Sequence, residues 1–184
     1  MNTSPGPTAD VSVRVAWADD AAAVADVQLR AWRSQYADLL PAEAFPADAS
    51  ALADTWRASM TRPADARNRV LVALERNRVT GFAVATPASD PDCDPVADAE
   101  LTELVVDPDE LGKGHGSRLL QAVVDTMVAD RFTRALTWTI GTDDGRRRFL
   151  TDAGWGADAA HRELDLDGTG TTVVKQVRLH TALT

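Results

Sequence analysis

A single cysteine, a single tyrosine and the want of any long apolar run set the first limits on this chain. Cys93, being alone, excludes an intramolecular disulfide and any metal site built from several thiolates. It points to a reducing, cytoplasmic setting. Apolar stretches are as short as Val70-Leu71-Val72-Ala73-Leu74, far below the roughly 20 residues that a membrane-spanning helix needs. Basic residues are scarce too: 19 Lys and Arg stand against 28 Asp and Glu, a formal net charge of −9. DNA or RNA is therefore a poor partner, because phosphate neutralisation requires basic surface. An acidic surface favours a cationic substrate, though only weakly. Met1 to Asp10 has neither the basic start nor the apolar stretch of a secretory signal, and reads as a flexible leader.

What is present fits one domain over residues 11–184. The chain has 184 residues, 45% of them apolar, enough to bury a substantial core. Val11 to Val15 alternates apolar and polar residues as a half-buried strand does. Asp19 or Asp20 is placed to cap a helix that carries Val24, Val27, Ala31 and Trp32 on one face, and a second helix fits Asp48 to Met60. Arg69 to Leu74 and Val79 to Ala85 read as a hairpin around Glu75-Arg76-Asn77-Arg78. A Pro- and Asp-rich loop, Thr86 to Ala97, leads to a strand over Asp98 to Val106. Leu119, Leu120, Val123, Val124, Met127 and Val128 define the stripe of an amphipathic helix. A strand (Arg134 to Ile140), a helix (Asp144 to Ala153) and two strands (Ala159 to Leu166 and Thr171 to Leu179) complete the order β-α-α-β-β-β-α-β-α-β-β. A mixed sheet with helices on both faces is the expected architecture.

The most informative stretch joins the fourth strand to the third helix: Val106-Asp107-Pro108-Asp109-Glu110-Leu111-Gly112-Lys113-Gly114-His115-Gly116-Ser117. Glycines permit positive φ and close approach of a ligand. The free N–H groups at a helix start, with the positive end of the helix dipole, suit phosphate. Lys113 and Arg118 stand beside them, and His115 is expected to face solvent or phosphate. A tight turn with no ligand is the competing role. The nucleoside-triphosphate loop is excluded because Gly114 follows Lys113, and the dinucleotide fingerprint because the spacing is G-x-G-x-G.

These residues resemble the GCN5-related N-acetyltransferase (GNAT) family. Val106-Asp107-Pro108 and Leu111 to Gly116 are similar to its V-x-P and [Q/R]-x-x-G-x-[G/A] motif, with Leu111 in place of Gln or Arg. Ala31-Trp32-Arg33-Ser34-Gln35-Tyr36 with Leu39-Leu40-Pro41 resembles a segment of one bacterial branch, as do Gly81-Phe82 and Ala99-Glu100-Leu101. Arg148 to Trp155 resembles the F-Y-x-x-x-G-F ending. The resemblance implies an α/β GNAT fold, with a mixed, mostly antiparallel sheet of about seven strands that splays near Val106. It implies acetyl-CoA as co-substrate, its pantetheine arm along Leu104, Val105 and Val106, and its pyrophosphate on the amides from Gly112 to Ser117. Asp143 stands where the family often has a cofactor-binding Asn, and Leu150 where it often has a tyrosine that protonates the leaving thiolate.

The implied reaction transfers acetyl to a primary amine of a small molecule or protein. An alkyl ammonium with a pKa near ~10 must first lose a proton, for which a carboxylate suits. Glu100 is the first candidate by its spacing from the glycines, Glu103 the second, and solvated strand residues are the alternative for both. Tyr36, as the only tyrosine, is the remaining candidate for proton transfer. Tyr36 and Trp32 suit an aromatic wall against the amine, with core packing the other role, more so for Trp32. Arg146-Arg147-Arg148 reads as a solvated helix face or a contact to the coenzyme's 3′-phosphate. Three scattered histidines give no metal site. No membrane partner is expected, and the C-terminal strands could pair across a homodimer. A rival function is an acyl-CoA-binding or sensing module that has kept the fold and lost the chemistry, motivated by positions 111, 143 and 150.

Overall fold

The computed structural model describes residues 11–184, so the leader expected over Met1 to Asp10 lies outside the described residues. Seven strands form one sheet: β1 (Val11–Val15), β2 (Arg69–Glu75), β3 (Arg78–Pro87), β4 (Asp98–Val106), β5 (Arg134–Ile140), β6 (Gly156–Asp165) and β7 (Val173–Ala182). The helices are α1 (Ala21–Gln35), α2 (Ser50–Thr61), α3 (His115–Ala129) and α4 (Asp144–Asp152). The spatial order is β1-β2-β3-β4-β5-β7-β6. All neighbours run antiparallel except β4 and β5, whose connection passes through α3. Both the element order and the mixed sheet agree with the sequence reading.

The two faces of the sheet have separate cores. Leu119, Leu120, Val123 and Met127 of α3 pack on Leu71, Ala73, Ala83, Ala85, Ala99, Leu101 and Leu104. On the other face, Val24 and Val27 of α1 cover Val72, Leu74, Val79 and Phe82, while the Trp56 ring of α2 meets Phe82 edge-on at 5.2 Å. Val128 departs from the expected stripe and is 39% exposed. At about 100° per residue it stands roughly 120° from the centre of the four buried positions. The sixth strand starts earlier than expected because Ala159, at φ 68°, absorbs a register shift between Ala157 and His161 and lets pairing resume on both sides.

At Gly81 the backbone of β3 leaves no room for a side chain against β4. A Cβ built there would lie 2.6 Å from the Val105 carbonyl oxygen and 3.1 Å from Leu119 Cδ1. The first is backbone and cannot rotate away. Gly81→Ala is therefore expected to cost about 1–3 kcal/mol, as overpacking typically does, read from the urea midpoint. An unchanged midpoint would show slack between β3 and β4.

Candidate functional site

The site begins with a parting of strands. β5 pairs with β4 only from Asp98 to Glu100, against Arg134 to Leu136. The Thr137 hydroxyl then donates to the Leu101 carbonyl at 2.8 Å, the last tie between the two. β5 stays with β7 as far as Ile140, while β4 stays with β3 as far as Val106, so the sheet opens from Leu101 onward. At the closed end Arg134 grips Asp98 with two hydrogen bonds of 2.6 and 2.9 Å. The splay expected near Val106 is present.

A bulge decides which face the two candidate carboxylates share. Side chains alternate along a strand, which would put residues 100 and 103 on opposite faces. Between Val84 and Ala85 the register shifts so that Thr102 is an extra residue. Leu101 and Leu104 consequently both enter the α3 core, and Glu100 and Glu103 both turn to the α1 face. Glu100 is buried beside Asp90, Arg162 and Arg178, in the segment still paired with β5. Glu103 stands where the strands have parted, near Arg146 and Tyr36. Burial raises the pKa of each above the ordinary carboxylate value: in Glu100 the Asp90 charge adds to it, and in Glu103 the Arg146 charge opposes it. Burial also raises Tyr36, with Glu103 contributing. Tyr36 closes α1 one turn after Trp32, its amide donating to the Trp32 carbonyl. Trp32 is half-buried and belongs to none of the buried core clusters.

On the opposite side of the parting lies the glycine turn. Gly112 and Gly114 have φ of 76° and 81°, the left-handed region that favours glycine, and α3 starts at His115. The amides of the first turn have no intrahelical acceptor. The turn, Leu104, Val106, Arg146 and Phe149 line a cleft of about 410 Å³. Larger hollows of about 560 and 510 Å³ flank α4 but include no β4 residue. Leu111 is 65% exposed at the cleft's lip. Lys113 does not reach into the cleft as a free cation. Its Nζ pairs with Glu110 at 2.6 Å, Arg78 takes the other carboxylate oxygen, and Arg118 folds back onto the Lys113 carbonyl at 3.1 Å.

His115 requires a correction. Its side chain is 1% exposed rather than turned to solvent or phosphate. As the first residue of α3 it points inward under the hairpin turn, with Nε2 3.4 Å from Glu75. The residue nonetheless belongs to the lining of the cleft. His115, Glu75 and Glu110 bring one ligand atom each within 4.8 Å of one another, but both Glu110 oxygens already face cations.

The start of α4 completes the cleft. The Asp143 carboxylate caps the helix by accepting from the Arg146 amide at 2.9 Å. Arg146 is half-buried and its Nη1 donates to the Leu104 carbonyl at 2.8 Å; it is not part of a solvated face. The sequence carried a signal for this, because 146 shares helical spacing with Phe149 and Leu150 (i, i+3, i+4). Leu150 itself is fully buried in the α3 core, so its side chain does not face the cleft. Sequence reasoning also missed a charged cluster beside Glu100. Arg178, 6% exposed, reaches Asp90, Asp92 and Asp158 at 3.1, 2.5 and 2.7 Å. Trp138 Nε1 donates to Asp90 at 3.0 Å, with Arg162 stacked on its ring. Cys93 touches Arg134 and Arg178, yet burial and Asp92 push its thiol up, as a poor nucleophile requires.

A mixed sheet that parts beside a glycine turn at a helix start defines an α/β protein with a cleft between β4, the turn and α4. The sequence model of the acetyltransferase (GNAT) family matches residues 27–155, from α1 to the end of the cleft-lining helix, and the chain belongs to this family. No curated protein matches it. Solved structures share the fold. The ribosomal-protein-alanine N-acetyltransferase of Brucella melitensis superposes with a TM-score of 0.73 at 17% identity, over 94% of this chain and 99% of that one. YncA of Salmonella typhimurium, solved with its cofactor acetyl-CoA, gives 0.68 at 17% over 95% of each chain. PaiA N-acetyltransferase of Thermoplasma acidophilum, in complex with coenzyme A, gives 0.68 at 15% over 94% and 98%. No helix among the described residues is long and apolar enough to cross a membrane.

The Glu110 pair ties the glycine turn to the β2–β3 hairpin, and its two cations hold the carboxyl at about 2, against an ordinary 4.5. A depressed folded-state pKa means stability present above the unfolded value and lost as pH falls through the folded one. Glu110→Gln is thus expected to lower the melting temperature at pH 7 and to flatten the acid limb between about 4.5 and about 2. Parallel acid limbs in the two proteins would show that the pair contributes nothing.

Proposed function

We propose that residues 11–184 form one acyltransferase domain that moves an acetyl group from acetyl-CoA to a primary amine of a small molecule or protein. The observation that carries the reading is the parting of β4 from β5 directly above the glycine turn. A bare strand edge can pair with the amide-bearing arm of a coenzyme as another strand would, through the backbone of Leu104, Val105 and Val106. The amides from Gly112 to Ser117, at the positive end of α3, suit the pyrophosphate. Acetyl-CoA and coenzyme A bound to structural neighbours support the same choice of donor.

On the α1 face the amine enters past Trp32 and Tyr36 and gives up its proton to a carboxylate. The spacing of the sequence ranks Glu100 first. The strand geometry favours Glu103, which stands at the open part of the split, and Glu100 is then the deeper of two carboxylates on one face. Tyr36 lies close enough to Glu103 to feel its charge and positions the amine between them. The single free cysteine fits a reducing, cytoplasmic setting. A second reading, a coenzyme-binding or sensing module without transfer, draws on the burial of Leu150.

Calorimetric titration with acetyl-CoA tests the donor site, with Gly114→Trp as the control that forces a side chain onto a left-handed residue against Arg118. Binding by the parent and none by the control supports the placement; equal affinities overturn it. An amine screen by thiol release then separates transfer from sensing. If Glu103 is the base, its raised pKa puts the acid limb of kcat/KM above the ordinary carboxylate range. Glu103→Gln should lower kcat about 10²-fold or more and remove that limb, with acetyl-CoA affinity little changed. The same loss in Glu100→Gln alone would assign the proton to Glu100.

A further inference from the structure

Arg146 is a cation in the cleft that lacks a carboxylate partner among the described residues. Lys113 is taken by Glu110, and Arg118 is turned to the Lys113 carbonyl. Arg146 instead lies half-buried between α4 and β4, and its one hydrogen bond is to the Leu104 carbonyl. That bond uses one of five N–H donors, and the residue lines the cleft with Leu104, Val106 and Phe149. Two features hold it there. Asp143 fixes the helix start by capping the Arg146 amide, and Phe149, three residues on, lines the same cleft. Glu103 from β4, Asp143 capping the start of α4 and Tyr36 at the end of α1 are the charged or titratable groups near it. Burial lowers its pKa, partly offset by those three groups, but an arginine in a protein stays protonated.

The cleft otherwise offers little to receive negative charge where the strands part. Leu104, Val106 and Phe149 are apolar, Leu150 is sealed in the core, and the glycine-turn amides lie at the other end. Yet an acyl transfer from a thioester ends with charge on sulfur at the acyl end of the donor. We propose that the Arg146 guanidinium contacts the donor sulfur and stabilises the thiolate as it leaves; this rests on the acyl-CoA reading above.

The step balances without another reactant. The amine nitrogen bonds to the thioester carbon, the C–S bond breaks, and its electron pair stays on sulfur beside Arg146. The amine proton passes to the strand carboxylate and on to solvent. The thiolate takes one proton from solvent on release. A guanidinium is suited to this work because it lowers the cost of a sulfur anion without donating a proton, as cations near protein thiols do when they depress their pKa from ~8.5 by one or more units.

The test compares coenzyme A with desulpho-coenzyme A, by calorimetric titration between about pH 6 and 9, in the parent, Arg146→Met and Arg146→Lys. A guanidinium on sulfur favours the bound thiolate, so the parent's affinity for coenzyme A relative to the desulpho compound should rise with pH, about tenfold for each unit by which the bound thiol pKa is lowered. The ratio cancels the titration of Glu103 and Tyr36, which both ligands experience alike. In Arg146→Met the ratio should become flat or fall, and Arg146→Lys should restore part of the rise. kcat should drop about 10- to 100-fold in Arg146→Met, with a smaller drop for a donor whose thiol is more acidic. A pH-independent ratio in the parent, with both ligands bound, overturns the role of Arg146 and leaves the coenzyme site standing. Failure of the parent to bind either ligand overturns the acyl-CoA reading and this one with it. The parent measurement stands even if the methionine variant does not fold.

Discussion

The constraint on which this molecule turns is that β4 has two partners at one end and one at the other. β3 accompanies it throughout, but β5 holds it over only three residues. Past Leu101 the edge facing β5 carries backbone groups that no strand satisfies. An unpaired buried carbonyl or amide costs roughly 1–3 kcal/mol, so a fold that leaves such an edge must cap it, wet it or fill it. Here Arg146 caps one carbonyl, that of Leu104. A carbonyl oxygen has two lone pairs, and one guanidinium bond does not prevent a second donor from using the same acceptor. The two strands are held together at the closed end, where Arg134 ties Asp98 and Thr137 ties Leu101.

The bulge at Thr102 follows from the same strand. With strict alternation one candidate carboxylate would enter the α3 core, where burial of an unpaired charge is prohibitive. The extra residue sends both to the α1 face and both flanking leucines to the α3 face. Packing and chemistry thus have a common origin, and the carboxylates lie on the side away from the glycine turn. The two faces of the parting are thus chemically distinct, with backbone amides on one and carboxylates on the other.

Much of this was legible beforehand, and what was not has a physical reason. The element order, the amphipathic α3 and the strand-turn-helix at Gly112 to Gly116 follow from local patterning, because apolar periodicity and glycine act within a few residues. The splay near Val106 came from family resemblance rather than from periodicity, since nothing local marks a strand as leaving its neighbour. The bulge is equally silent in the sequence, as one residue's shift depends on register with β3. His115 was misjudged because its neighbours are exposed turn residues, while its own burial is imposed by the hairpin above it. Arg146 was hidden inside a run of three arginines, of which Arg147 and Arg148 do face outward. Its helical spacing with Phe149 and Leu150 sets the first apart from the others, but what α4 packs against is set by the fold. The partners of Arg178 lie between 20 and 88 residues away along the chain, beyond the reach of any local pattern.

The charge balance explains how so acidic a chain can present a site for an anion. Most of the arginines near the sheet are spent on carboxylates: Arg78 on Glu110, Arg134 on Asp98, Arg178 on three aspartates. Opposite charges within each group cancel in part, fully so for Arg134 with Asp98, and the partial cancellation weakens the field at a distance. The net negative charge therefore resides on outer carboxylates, where solvent and salt screen it within about 8–10 Å. Inside the cleft the sources are different in kind. Oriented amides at the start of α3 supply partial positive charge that no titration removes, and Arg146 supplies a whole one at the opposite end. Two positive ends joined by an apolar channel of Leu104, Val106 and Phe149 match a ligand that is anionic at one end, extended in the middle and develops charge at the other. Recognition by fixed dipoles at one end and a single cation at the other lets the surface stay acidic without repelling an anionic donor such as the acetyl-CoA proposed above.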